Sequence, residues 1–349
     1  MSWELPRAPV SAQLLTRFGE DQGIPAATLL HDTGLTVADL ADPRCEVSAR
    51  QELTIIDNLV TATGDQPGLG VALGERYHLT AYGIWSFMLI SSPTPRQAIQ
   101  VALRFLDLTF AFCDITAHDD ADGLRLTLDA SRVPDRLRRF VVERDLSAVY
   151  TIRREAFADR LPLRRVDLSF PAPDGPLPPG WLRDAVDEHP DVLHYDADTD
   201  AMIFDAARID DPMPQANAHA AAVAQEQCAR MLQERRARAG VSGDVRELLV
   251  RRLTDPPDAS EVAGLLHMSS RTLQRRLAQE GTSFRALLDE VREQIAEELL
   301  VVGGLPVAEV AHRLGYVEVS SFSQAFRRWT GSGPRAFRDA RLPGRRVGA

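Results

Sequence analysis

Glu261–Leu287 reads "EVAGLLHMSSRTLQRRLAQEGTSFRAL", and Glu309–Phe337 reads "EVAHRLGYVEVSSFSQAFRRWTGSGPRAF". Laid one over the other, Val262-Ala263 falls on Val310-Ala311, Leu273 and Leu277 fall on Phe322 and Phe326, and Arg285-Ala286 falls on Arg335-Ala336. Each copy has a short apolar run with a small residue inside it, then a turn, then a run whose large apolar side chains stand four apart. Side chains four apart share one face of a helix. The pattern predicts two helices per copy, crossing steeply where Ala263 and Ala311 keep the contact small. That is a helix-turn-helix unit, and the sequence carries it twice.

The second helix of each copy is polar opposite its seam. In the first, Leu273 and Leu277 fasten the helix to its partner, so Arg271, Gln274 and Arg275 face outward, with Thr272 and Arg276 beside them. In the second, Ser323, Gln324, Arg327 and Arg328 surround the Phe322–Phe326 seam, and Trp329 extends the apolar stripe into the expected core. Ser269 or Ser270 is expected to cap the first helix, and Ser320 or Ser321 the other. Capped N-termini turn free N–H groups and a positive dipole end toward phosphate. Arginine reads guanine edges in two bonds and glutamine reads adenine. The chemistry points to double-stranded DNA, with Arg271 and Gln274 as base readers and Arg276 as a phosphate contact.

Working outward, "GDVRELLVRRL" forms a helix stopped by "TDPPD", and Asp258 three residues before Glu261 resembles a capping box. Ser283 caps a long helix through "FRALLDEVREQIAEELLV", whose acids Asp289, Glu290, Glu293, Glu297 and Glu298 read as a solvated face. Gly303-Gly304 end it and Pro306 opens the next helix.

The stretch from Ala259 to Arg338 resembles the double helix-turn-helix DNA-binding domain of the AraC/XylS family of bacterial transcription regulators. The resemblance rests on "VAGLLHMSSRTLQRRLAQEGTSF", "VAHRLGYVEVSSFSQAFRRWTG" and the closing "GPRAFR". Upstream, "HLTAYGIWSFMLISSPTPRQAIQ" more faintly resembles the effector domain of members with an arabinose-binding-type or ornithine-regulator-type sensor. The resemblance implies an activator controlled by a small organic effector. Its implied partners are promoter or operator DNA, RNA polymerase and a second copy of the chain. One departure stands out: the family's first turn usually has Gly, as Gly315 supplies in the second copy, but here it is His267, which must then accept a positive φ.

The N-terminal part mixes periods. "SAQLLTRFGEDQG", "RQELTIIDNLVTATG" and "TPRQAIQVALRFLDLTFAF" have helical spacing, as does about Asp135 to Asp159. "GLRLTLDAS", behind the turn signal Asp122-Gly123, alternates with a period of two, as do "RRVDLSF" and "DAMIFD". The expected architecture is an α+β effector domain over 1–214, then a helix within 215–243, then an all-α double helix-turn-helix domain over 244–349 in which a long helix joins the two units. The middle helix is open to three readings: a linker, a dimerisation element, or part of the core.

The formal charge is −10, yet it is uneven: residues after 243 carry 16 arginines against 14 acids, whereas those before carry 24 against 36. All 40 basic residues are arginine. Cys45, Cys113 and Cys228 are scattered and read as free thiols in a reducing cytoplasm. "MSWELPRAPV" lacks the pattern of a signal peptide, and "IWSFMLI" is too short to span a bilayer, so a cytoplasmic protein away from membranes is expected.

No catalytic set emerges. "GLGVALG" places its third glycine wrongly for a dinucleotide site, and no G-x-S-x-G, HExxH or GKS/T motif is present. The eight histidines are dispersed, so neither metal nor cofactor is expected. Tyr77, Tyr82, Trp85, Phe87, Phe105, Phe110 and Phe112 crowd one region. Of these, Tyr82, Trp85, Phe87, Phe105 and Phe110 are the candidates to line an effector pocket, with a plain hydrophobic core as the other reading.

Overall fold

The computed structural model describes residues 5–64, 66–120, 123–175, 177, 180–238, 240–301 and 303–341. The chain divides into two compact units, Met1–Arg235 and Arg236–Ala349.

The first unit opens with α1 (Val10–Asp21), α2 (Ala26–Leu29), α3 (Val37–Ala41), α4 (Ala49–Thr63), α5 (Leu69–Gly74), α6 (Ile84–Ser91) and α7 (Pro95–Arg104). Strands β1 (Asp114–Asp120) and β2 (Gly123–Asp129) precede the long α8 (Asp135–Phe157). Then come β3 (Leu163–Asp167), α9 (Trp181–Glu188), β4 (Leu193–His194), β5 (Asp200–Phe204) and α10 (Ala218–Arg238). The sheet order is β1-β2-β5-β3-β4, antiparallel except for the β3–β4 pair. Alternation in β2 buries Leu124, Leu126 and Leu128, while the central β5 is buried at every residue. This is an α+β domain. Edge strand β1 and the two-residue β4 were not anticipated: "DITAHDD" is mostly exposed and lacks the alternation that marks a half-buried strand. Asp122 of the expected turn lies outside the described residues.

Local chemistry explains the helix ends. Ser48 and Gln51 form a reciprocal capping box at the start of α4, and Gly64 closes it with φ 79°. The dismissed "GLGVALG" has a packing role. A Cβ at Gly70 would fall on the Phe140 carbonyl oxygen and one at Gly74 on the Arg144 carbonyl oxygen, so these glycines let α5 lie directly on α8. Glu143 of α8 accepts from the Gly68 and Gly70 N–H groups at 3.0 and 3.3 Å. Helix α8 is thereby fixed in place, and it carries one wall of the cavity described below. On α10, Ala221, Ala224, Cys228 and Leu232 form a buried face, and Arg235 donates to the Asp107 carbonyl at 3.2 Å. Among the described residues no helix is long and apolar enough to cross a membrane.

The second unit is helical: α11 (Gly240–Arg251), α12 (Ala259–Leu265), α13 (Ser270–Gln279), α14 (Phe284–Val301), α15 (Val307–Arg313), α16 (Val319–Thr330) and α17 (Pro334–Arg341). It has two cores. Val245, Leu249, Val262, Leu273 and Leu277 centre the first, and Val310, Leu314, Phe322, Phe326 and Phe337 the second. Helix α14 belongs to both, with Leu287 and Val291 in one and Ala296 and Leu300 in the other. Its 18 residues make a rod of about 27 Å. Asp258 accepts from the N–H groups of Ser260 and Glu261, but the expected capping box is only half formed because Glu261 pairs with Arg252. Ser283 caps α14 through the Ala286 N–H.

Candidate nucleic-acid interface and ligand cavity

Helix α13 starts as its sequence suggested. The Ser269 hydroxyl accepts from the Thr272 N–H at 3.1 Å and lies 2.9 Å from the Thr272 hydroxyl, so Ser269 is the cap and Ser270 the first helical residue. Leu273 and Leu277 are fully buried, and Arg271, Gln274, Arg275 and Arg276 are all exposed. Among the described residues these four side chains have neither a hydrogen bond nor an ion pair. Arg246 is matched with Glu290 at 3.0 Å, Arg313 with Glu309 at 2.8 Å and Arg252 with Glu261, whereas Arg285 and Arg335, like the α13 row, are exposed without an ion pair among the described residues.

Helix α16 departs from expectation at its start. It begins at Val319 with Glu318 as an extended boundary residue and no side-chain cap. Ser320 and Ser321 are therefore the second and third helical residues and cap nothing, because the turn closes earlier than the serine pair implied. Both are exposed. Ser323 is half-buried and returns its hydroxyl to the Val319 carbonyl at 2.8 Å. Gln324 and Arg327 are exposed, and Arg327 has no ion pair among the described residues. Arg328 instead reaches Asp289 of α14 at 3.3 Å, so that acid and Glu290 are paired and not merely solvated. Trp329 is a second correction. Phe326 is buried, but Trp329, with its ring centre 6.4 Å away, sits half-buried at the margin of the core.

The turns hold two residues of note. His267 has φ 53° and Gly315 φ 78°, so both copies make the same left-handed turn and His267 does accept it. Sequence reasoning passed over Val317, which is 97% exposed in the second turn, and Val319 beside it at the start of α16, also exposed. A valine in the turn, with a second two residues on at the helix start, was the available signal.

The first unit contains a cavity of about 780 Å³, counting its open mouth. Tyr82, Trp85 and Phe110 line it, with Tyr82 ring centres 5.3 Å from Trp85 and 5.5 Å from Phe110. Phe87 and Phe105 do not. Phe87 points outward and is 47% exposed, because α6 is apolar all round and its period could not say which residues turn inward. Phe105 is buried but is not among the lining residues. Helix α8 supplies the opposite side through Arg144, Asp145, Ala148, Val149, Ile152 and Arg153, none of them foreseen.

A buried charge cluster closes the inner end. Arg144 donates to Glu52 at 3.3 Å, to Asp145 at 2.9 and 2.5 Å, and to the Phe110 carbonyl at 3.1 Å. Asp145 also accepts from the N–H groups of Phe112 and Cys113, each at 2.9 Å. Arg7 donates to Glu52 at 3.4 Å. Burial pushes the Tyr77 phenol up to about 12 and lifts that of Tyr82 well above its ordinary value. Both phenols are neutral hydrogen-bonding groups. Among the described residues no cluster of His, Cys, Asp and Glu could hold a metal ion.

Comparison with known proteins places both units. A family model described as the arabinose-binding domain of AraC transcription regulator matches residues 23–213, and a helix-turn-helix domain model matches residues 262–340. The chain is 38% identical over 331 residues to an HTH-type transcriptional regulator of Mycobacterium tuberculosis, covering 94% of this chain and 95% of that one. It is 30% identical over 282 residues to the ornithine utilization regulator of Pseudomonas aeruginosa, covering 79% of each. The crystal structure of the transcriptional regulator CdpR from Pseudomonas aeruginosa aligns over 95% of this chain and 98% of that one, at 24% identity and a TM-score of 0.43, too distant to argue from.

Proposed function

The chain belongs to the AraC family of transcription regulators, and on that premise we propose that α13 and α16 read two successive major grooves of promoter DNA under the control of a small organic effector. It is a DNA-binding regulator with an N-terminal domain of ligand-binding type, and its relatives are regulators and not enzymes. The observation that carries the finer reading is the unpartnered guanidinium row. Arg271, Arg275, Arg276 and Arg327 are exposed and uncommitted on the two helices that carry the matching apolar seams, while Arg246, Arg313 and Arg328 are matched to acids.

In this reading Arg271 and Gln274 meet base edges in one groove, and Gln324 and Arg327 in the next. Arg275 and Arg276 hold phosphates, as do the polar groups at and near the helix starts, Ser269, Ser270, Thr272, Ser320 and Ser321, whereas Ser323 has spent its hydroxyl hydrogen on the Val319 carbonyl. Arg328 approaches the backbone from its tether on Asp289. Val317 offers an apolar contact of the kind thymine methyls accept. Residues 1–214 sense the effector, 215–243 couple it to 244–349, and the regulator acts as a homodimeric activator that engages RNA polymerase. Hydroxyl-radical footprinting of the full chain on its own promoter region tests this. Two protected patches on one DNA face, about one helical turn or ~34 Å apart, are expected; a single patch overturns the two-unit reading.

A second reading makes the first unit a ligand-independent interaction module. Val223 and Met231 favour it, since both are exposed on α10 eight residues apart. A metabolite that changes the promoter affinity of the full chain rules it out.

A further inference from the structure

We propose that the cavity of the first unit takes an apolar monocarboxylic acid, its carboxylate on Arg153 and its hydrocarbon body among Trp85, Leu89, Phe110, Ile152, Phe157 and Leu161. This rests on the sensor reading above and names the chemical class that reading leaves open.

The argument is one of elimination among polar groups. Seven lining residues can donate or accept through their side chains. Tyr77 is bonded to Ser11 at 2.7 Å, the Trp85 indole to the Ala102 carbonyl at 3.3 Å, and the Thr109 hydroxyl to the Leu106 carbonyl at 2.7 Å. Arg144 and Asp145 are spent on each other, on Glu52 and on backbone groups. With Arg7 opposite Glu52, that inner cluster balances two positive charges against two negative ones.

Two groups remain. The Tyr82 phenol has no hydrogen bond among the described residues. Arg153 donates from Nη1 to the Ala158 carbonyl at 3.2 Å and stacks 5.0 Å from the centre of Tyr150. Its Nε is shielded from solvent without a hydrogen-bond partner, and no carboxylate pairs with it. The cavity therefore offers one positive charge without a carboxylate partner, on the half-buried Arg153, and one neutral hydroxyl, in otherwise apolar walls.

That inventory excludes most small metabolites. A sugar needs a partner for nearly every hydroxyl, and burying one unpaired polar group already costs free energy. A basic amino acid needs a free carboxylate, and Asp145 has none to give. An apolar acid loses little by leaving water, and its carboxylate gains a charge-assisted bond to a fork-shaped donor that suits it.

Calorimetric titration of the full chain with sodium decanoate, decan-1-ol and L-arabinose tests the assignment, decanoate being kept below its micellar concentration. Decanoate is expected to bind once per chain, at least about tenfold more tightly than decan-1-ol, with no binding of arabinose. Arg153→Gln should bring decanoate down to the level of the alcohol and leave the alcohol's own affinity unchanged, with circular dichroism confirming the fold. Ala148→Phe, which fills the cavity from α8, should remove both. Equal affinity for acid and alcohol, full decanoate affinity in Arg153→Gln, or arabinose binding in its place overturns the assignment while leaving a sensor possible. Decanoate binding as described without any change in promoter affinity upholds the assignment and overturns the sensor reading.

Discussion

His267 and Gly315 occupy equivalent turns with φ 53° and 78°, and only one of them lacks a Cβ. An L-residue in that region carries about 1–2 kcal/mol of strain, partly offset because it loses less backbone entropy than glycine on folding. His267→Gly should therefore stabilise the second unit by up to about 1 kcal/mol. Gly315→Ala should do the opposite and more strongly, since its Cβ would stand 2.6 Å from the Thr254 carbonyl oxygen. Urea denaturation of the full chain measures both, and equal effects in the two copies would contradict the steric argument. On α13, Arg271→Ala or Gln274→Ala should cost about 1–3 kcal/mol on the cognate site and relax base preference. Arg276→Ala should weaken all sequences alike and lower the salt slope by about one. Binding to a randomised operator library at two salt concentrations separates these outcomes. The exposure of the arginines could be read from the Leu273–Leu277 seam, because a four-residue period says which way a helix faces. The pairing of Arg328 with Asp289 could not, since the two are 39 residues apart.

Elements were legible where period and punctuation agreed. Gly64 after α4, Ser269 before α13 and the alternation in β2 each combine a face with a stop or start. Where one signal was missing, the reading slipped. Helix α16 begins without a side-chain cap, so its serines misled; α6 is apolar on every side, so Phe87 and Trp85 looked alike. The α8 wall of the cavity gave no signal at all, because Arg144 and Asp145 satisfy each other across adjacent positions and resemble any charged pair on a helix. The glycine seam between α5 and α8 makes its own prediction. Gly70→Val should cost at least about 1–3 kcal/mol, the usual penalty of overpacking, because its Cβ meets backbone that cannot turn aside. Thermal unfolding would show it, and a variant as stable as the parent would mean α5 can lift from α8 freely.

At the scale of the molecule, the excess of acids resides in the residues up to 243, where 36 acids face 24 arginines, which opposes indiscriminate attraction to DNA and leaves binding to the helix faces of the second unit. Family membership and the order of domains were readable at this scale; the ligand was not, since a cavity exists only once α6, α7, α8 and the sheet are assembled. If decanoate controls the regulator, linkage demands symmetry. Decanoate should change promoter affinity by about 5- to 150-fold, and promoter DNA should change decanoate affinity by the same factor. Titrating the full chain with each in the presence of the other checks this, and unequal factors would show that the two do not share one equilibrium.

Helix α14 is a ruler shared by both cores, and a ruler has consequences for the text it measures. If α13 and α16 are the two reading heads proposed above, they cannot slide apart to suit a promoter. One base pair added between the two boxes of an operator turns the second by about 34° and carries it out of register. Letters within either box can drift while each still fits its helix, at the cost of a contact or two. The gap between them has no such latitude. Sites for this regulator scattered through a genome should thus vary in spelling and share a single spacing, and that constancy would identify them even where the bases do not.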